Sequence, residues 1–142
     1  AGNRGFNTVR KYKRADYICI SEGEIRLEVR SRKRTLQDIV AEVGESLSCP
    51  NIVVTRGSEG VLCYSEKEGF SEAPALAIQV VDRTGAGDAV FSITSMCVAQ
   101  KAPMDIVGFI ANAVGAEAVR TVGHRSSIER LPLYRYIETL LK

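Results

Sequence analysis

Tryptophan is absent from the 142 residues, and histidine occurs once, at His124. One imidazole excludes a histidine-built metal cage. The four cysteines, Cys19, Cys49, Cys63 and Cys97, lie far apart and form no C-x-x-C pair, so a zinc site has no ligand spacing to rest on. Three of them sit in or beside apolar stretches (YICI, VLCY, TSMCVA), and buried free thiols are expected rather than a disulfide framework. Strong charge of either sign is lacking too: 19 Lys and Arg against 17 Asp and Glu leave a formal +2, too weak an overall field to recommend nucleic acid. Basic residues do cluster in RKYKR (Arg10 to Arg14) and RSRKR (Arg30 to Arg34), which read as solvated loop and helix-flank charge. A nucleic-acid surface built on them would instead bind with a steep dependence on salt. No apolar run reaches transmembrane length, and the opening residues are polar and basic rather than signal-like. A cytoplasmic chain with no membrane partner is expected.

What is present is apolar material enough for one core. With 45% hydrophobic and 25% charged residues, residues 1–142 read as a single domain. ADYICIS is a short β-rich run. TLQDIVAEVGESL follows with Leu36, Ile39, Val40, Val43 and Leu47 on one helical face, and with Thr35 and Asp38 placed as an N-terminal cap. NIVVTRG reads as a buried strand, and VLCYSE as its antiparallel partner across the Gly57 to Gly60 turn; a further strand is expected around APALAIQVV (Ala73 to Val81). Asp88 to Gln100 is apolar almost all round and predicts a buried helix. Pro103 opens another, with Met104, Val107, Ile110, Ala111 and Val114 inward, and a last amphipathic helix carries Leu133, Tyr134, Ile137, Leu140 and Leu141. The first fourteen residues show no clear element. This order implies a three-layer α/β/α domain with a mostly parallel sheet and one added antiparallel hairpin.

The chemistry concentrates in VVDRTGAGDAVFS, residues 80 to 92. A strand ending at Val81, a turn carrying Gly85 and Gly87, and a helix beginning near Asp88 leave free backbone N–H groups at the helix start, where anions bind. Two glycines alone also serve ordinary strand-to-helix turns. No Lys follows them, which excludes the P-loop, and a dinucleotide fingerprint would want a third glycine. A carboxylate at the mouth of an anion hole suits different chemistry, in which it takes a proton from a hydroxyl that attacks a phosphoryl group whose charge the amides stabilise.

DRTGAGDAVFS resembles the D-T-x-G-A-G-D signature of the ribokinase-like (pfkB-type) carbohydrate kinases. Thr55-Arg56-Gly57-Ser58-Glu59-Gly60 is similar to the family's T-x-G-x-x-G turn after a strand, and FIANAVGAEAVRTVG (Phe109 to Gly123) to its adenine-side helix. The resemblance implies Asp88 as catalytic base and the amides of Gly85, Ala86 and Gly87 as the anion hole. It implies Thr55, Gly57 and Gly60 beside the nucleotide phosphates and ribose, and Asn112 with Ala111 and Gly115 along the adenine slot; the residues themselves leave open that Asn112 is merely a polar group on an exposed helix face. ATP and Mg2+ are the implied cofactors, with Glu24 as a metal-supporting residue. A monovalent cation such as K+ is implied at Asp82, with carbonyls near Ala118 and Gly123 and a hydroxyl near Ser127, although Asp82 equally reads as a cap on the turn before the helix. Two departures stand out. The family's N-x-x-E motif falls at Ser21-Glu22-Gly23-Glu24, so its Asn is replaced by Ser21, and Arg83 takes a position that is usually small or hydroxylated.

Family members have about twice this length, and the resemblance covers their C-terminal, nucleotide-side half; the sugar-binding and lid half is not in these residues. The chain therefore reads as an excised piece or as part of a multidomain protein, and its opening AGNRGFNTVRKYKRADYICISEGE resembles kinase domains that accompany a sugar-phosphate nucleotidyltransferase. The implied activity is transfer of the γ-phosphoryl group of ATP to a hydroxyl of a sugar or sugar-like substrate, with the chain inactive by itself. The rival class is a non-catalytic ribokinase-like module for regulation or assembly, which Ser21 and the short length favour. An open sheet edge would be expected to pair with another molecule.

Overall fold

The computed structural model describes residues 7–77, 80–120 and 127–142. After a single 3-10 turn at Val9–Lys11, the chain enters strand β1 (Ile18–Ser21), helices α1 (Glu22–Glu28) and α2 (Leu36–Ser46), and strand β2 (Asn51–Thr55). Strands β3 (Val61–Ser65) and β4 (Gly69–Ala73) come next, then helices α3 (Ala86–Ala99), α4 (Met104–Ala118) and α5 (Arg130–Leu140). The sheet order follows the chain, β1-β2-β3-β4. β1 and β2 pair in parallel, with Ile18 opposite Ile52 and Ser21 opposite Thr55, while β2–β3 and β3–β4 are antiparallel.

Strand alternation sorts the apolar side chains into two cores. Ile18, Ile52, Val54 and Leu62 face α1 and α2, meeting Ile25, Ile39, Val40 and Val43. Val53, Val61 and Cys63 face the other way, onto Val90 of α3 and Met104, Val107, Ala111 and Val114 of α4. The sheet thus lies between two helical layers, which is why the β2 run is apolar on both faces. Thr35 caps α2 as its position predicts, accepting from the Asp38 amide at 3.2 Å. α1 was not anticipated: Ser21 and Glu24 close a reciprocal capping box at its start, in which Ser21 Oγ accepts from the Glu24 amide at 3.3 Å and the Ser21 amide donates to Glu24 Oε2 at 3.2 Å.

The Gly57 to Gly60 turn joins β2 to β3 as expected, closed by the Arg56 amide on Gly60 O at 2.8 Å. The next strand lies elsewhere than the sequence suggests. β4 is Gly69–Ala73, and the described part of the stretch after it, 74–77 and 80–81, carries no strand. Phe70 pairs with Tyr64, ring centroids 5.0 Å apart, and this cross-strand contact holds a strand that is otherwise polar and exposed. Pro74 then removes the next ladder donor. The second hairpin makes the antiparallel part larger than the one hairpin foreseen, and among the described residues parallel pairing is confined to β1–β2.

Two helices are less buried than their composition suggests. In α3 only Val90 and Thr94 are buried, while Phe91 and Met96 are 48% and 57% exposed, because no described element covers that side. α5 buries no residue fully, although Leu133 packs against the α3–α4 core. All four cysteines are free, as expected. Burial pushes the Cys19 thiol up to about 11 and that of Cys63 up to about 12. Arg10 and Arg34, one from each basic run, both pair with Glu42, and Arg10 also reaches Glu28 at 3.7 Å. Part of the basic charge is thereby engaged within the chain.

Candidate active site

The chain reaches α3 through a turn set by Asp82, whose Oδ1 accepts from the Thr84 amide at 2.9 Å and from Thr84 Oγ1 at 2.8 Å. This is the aspartate turn that the residue type favours. Gly85 follows as the residue capping α3, in the left-handed region at φ +79°, a conformation that penalises any side chain. The Ala86 amide donates to Arg83 O at a long 3.3 Å. First-turn amides have no intrahelical acceptor, so the helix start presents donors and the positive end of its dipole. A Cβ placed on Gly87 would meet nothing within 4 Å. The helix therefore does not need this glycine for room, and the space beside it is open to a ligand.

Asp88 sits in that first turn, exposed, in the wall of a cleft of about 510 Å³. Thr84, Gly85, Glu117, Ala118 and Ser127 line the same cleft. Ala118 and Ser127, expected near a monovalent cation, are thus brought beside Asp88, while Gly123 and His124 lie outside the described residues.

Asn112 and Gly60, from the other two motifs, meet at one carbonyl. Asn112 is 8% exposed, and its Nδ2 donates to Ala73 O at 2.9 Å. It is not a polar group on an exposed face. Gly60, at φ +85°, lies so close that an added Cβ would be 2.1 Å from the same Ala73 oxygen. Thr55 ends β2 and Gly57 opens the turn. None of these four residues lines the Asp88 cleft. Glu24 forms a third group with Ser21, accepting from Ser21 Oγ at 2.8 Å as well as closing the capping box. The S-x-x-E spacing is itself a capping-box signature and could have revealed this bond. No cluster of His, Cys, Asp or Glu suited to a metal ion occurs among the described residues.

The family model of the pfkB family carbohydrate kinases matches residues 7–131. The chain belongs to this family. The bifunctional protein HldE of Bradyrhizobium diazoefficiens is 30% identical over 115 residues, covering 79% of this chain and 23% of that protein. A putative ribokinase II of E. coli, solved in complex with ATP and Mg2+, is 27% identical at a TM-score of 0.74, over 88% of this chain and 40% of that one. Phosphofructokinase-2 of E. coli in complex with potassium, at 17% identity, shares the fold with a TM-score of 0.76 over 91% of this chain. The fold is ribokinase-like and partial: the chain spans about a quarter of the curated relatives' length and about two fifths of these solved chains. Among the described residues no helix is long and apolar enough to cross a membrane.

Tyr17 and Thr94 were not singled out from the sequence. Their hydroxyls are hydrogen-bonded at 2.7 Å behind the first turns of α3. Nothing local marks such a pair, because the partners are brought together only by the tertiary packing of α3 on β1.

Proposed function

We propose that the protein containing this chain is an ATP-dependent phosphotransferase that moves the γ-phosphoryl group to a hydroxyl of a sugar or sugar-like alcohol. The observation that carries the reading is Asp88 in the first turn of α3, behind a left-handed Gly85 and beside the open space at Gly87. Asp88 takes the proton of the attacking hydroxyl. The amides of Gly85, Ala86 and Gly87 receive the negative charge of the transferred group, in the field of the helix N-terminus. Thr55, Gly57 and Gly60 border the nucleotide phosphates and ribose, and Asn112, with Gly115, flanks the adenine, while Ala111 is taken up by the core.

Magnesium fits this site as a nucleotide-borne ion. It binds through phosphate oxygens, water and one or two carboxylates rather than an all-protein cage, and no such cage occurs among the described residues. Bound with ATP, it neutralises phosphate charge. Glu24 supports it from the start of α1, where the capping box fixes the carboxylate. Asp82, with Ala118 and Ser127, is the place for a monovalent cation such as K+; a potassium complex of the structurally similar phosphofructokinase-2 supports this. The sugar pocket and an attached nucleotidyltransferase domain belong to residues beyond this chain, as the HldE relatives' length and bifunctional name suggest.

The test is Asp88→Asn in the full-length protein, assayed with ATP and a panel of free and phosphorylated sugars. Turnover is expected to fall by about 10² to 10⁴, with magnesium-ATP affinity by calorimetry held within about threefold. Equal loss of binding and turnover contradicts the base assignment. The rival reading, a regulatory or assembly module, is favoured by Ser21 in place of the Asn of the family's N-x-x-E motif; it stands if the wild-type protein binds nucleotide yet transfers no phosphate to any acceptor.

A further inference from the structure

Tyr17 stands immediately before β1, and its hydroxyl donates to Thr94 Oγ1 at 2.7 Å. Thr94 is fully buried, and its own hydroxyl donates to Val90 O at 2.6 Å, one turn back in α3. Phenol, hydroxyl and backbone carbonyl thus form a chain from the sheet edge into the helix, and such chains strengthen in a low dielectric. The Tyr17 ring also lies parallel to that of Phe91, with centroids 6.1 Å apart and planes inclined by 8°. Burial pushes the Tyr17 phenol far above its ordinary range, so the group remains a neutral donor.

α3 packs mainly on α4. Only Val90 and Thr94 are buried along it, and besides its packing on α4 it meets the sheet chiefly at β1. Val90 and Phe91 lie two and three residues after Asp88. Thr94 stands six residues after Asp88, so the tether grips the middle of α3, and its hold reaches toward the first turn through Phe91, stacked on Tyr17, and through the Thr94 bond to Val90 O.

We propose that Tyr17 is a positioning residue for phosphoryl transfer: through Thr94 and Phe91 it holds α3 against β1 and so fixes where Asp88 stands. The proposal rests on the reading of Asp88 given above. Tyr17 touches no reacting atom; its effect passes through the placing of the base, and misplacement by about 1 Å can lower a rate by about a hundredfold.

The experiment compares Tyr17→Phe, Thr94→Val and Thr94→Ser in the full-length protein by amide hydrogen exchange and by steady-state kinetics with ATP and the fastest sugar acceptor of the panel. Tyr17→Phe keeps the ring stack and loses the hydroxyl. This variant and Thr94→Val are expected to raise exchange in the first two turns of α3 but not in α4. Both should lower kcat about tenfold to a hundredfold with KM for ATP within about threefold. Thr94→Ser retains the hydroxyl and should stay near wild type in both measurements. Unchanged exchange at α3, or loosened exchange with unchanged kcat, overturns the proposal. So does a parallel loss of kcat, ATP affinity and Tm in all three variants, which marks a merely structural role. Exchange reports the tether without reference to chemistry: if α3 loosens and kcat falls while Asp88→Asn stays active, the base assignment fails and the tether stands.

Discussion

At Gly60 an added Cβ would lie 2.1 Å from the Ala73 oxygen, and φ of +85° already penalises a side chain, whereas at Gly87 nothing lies within 4 Å. The two glycines therefore respond differently to the same substitution. Gly60→Ala must move the β4 exit that Asn112 also holds, and it is expected to lower stability by at least about 2 kcal/mol in urea denaturation. Gly87→Ala sits in a helical turn, where alanine is favoured by roughly 0.5–1 kcal/mol over glycine, so stability should hold or rise. Its expected effect falls on ligand binding: the methyl group enters the open space proposed for the phosphoryl oxygens, and magnesium-ATP affinity by calorimetry should drop. Loss of stability in Gly87→Ala without loss of ATP affinity would reverse the assignment of that space. Both glycines occur in legible motifs. Their different reasons do not show in the sequence, because the Ala73 carbonyl that crowds Gly60 arrives from a strand formed later in the chain.

Elements with local causes were legible, and those defined by partners were not. α2 announces itself through Thr35, Asp38 and the spacing of Leu36, Ile39, Val40 and Val43, all realised in the structure. β4 hides, because its polar residues are acceptable only at a sheet edge where Phe70 finds Tyr64. α3 misled through its composition, since apolar residues on all sides signal burial only if something covers them. The cysteines give this scale a pH test. The folded state holds the Cys19 and Cys63 protons more tightly than the ordinary thiol value of 9.0, up to about 11 and about 12. That stability is complete below the unfolded pKa and is lost as pH rises from about 9 toward those folded values, since the unfolded chain ionises first. Thermal midpoints should therefore decline through that alkaline window. A Cys19→Ser, Cys63→Ser double variant should show a shallower decline if it folds. In the wild type, Ellman labelling of Cys63 at pH 8 should proceed only as fast as the protein opens, and immediate labelling of all thiols would refute the burial assignment.

For the whole molecule, described helices flank β1 on both faces, α1 on one and α3 on the other, while the outer side of α3, with Phe91 and Met96, is left uncovered by any described element. The solved relatives continue well beyond the matched part, since this chain covers 40% of the ribokinase II chain. The 142 residues alone are accordingly expected to give no sugar-kinase turnover with magnesium-ATP and to bind a hydrophobic dye such as ANS at the exposed face of α3. Robust turnover by this chain alone would show that the acceptor pocket needs nothing further. The candidate residues were readable as motifs; the meeting of Asn112 and Gly60 at the Ala73 carbonyl, apart from the Asp88 cleft, was not, because it depends on where α4 lies across the sheet.

The mixed pairing of the sheet also orders the assembly of the chain in time. Thr55 meets Val61 across one tight turn, and Ser65 meets Gly69 across another, whereas Ile18 must find Ile52 across two intervening helices. Loop-closure entropy rises with the length of chain enclosed, so the β2–β3–β4 meander closes first, and β1 joins only after α1 and α2 have formed a surface to dock on. The Gly57 to Gly60 turn, proposed to face the nucleotide, is thus expected to form early. β1, which follows Tyr17, is expected to dock last, and local unfolding is expected to begin there.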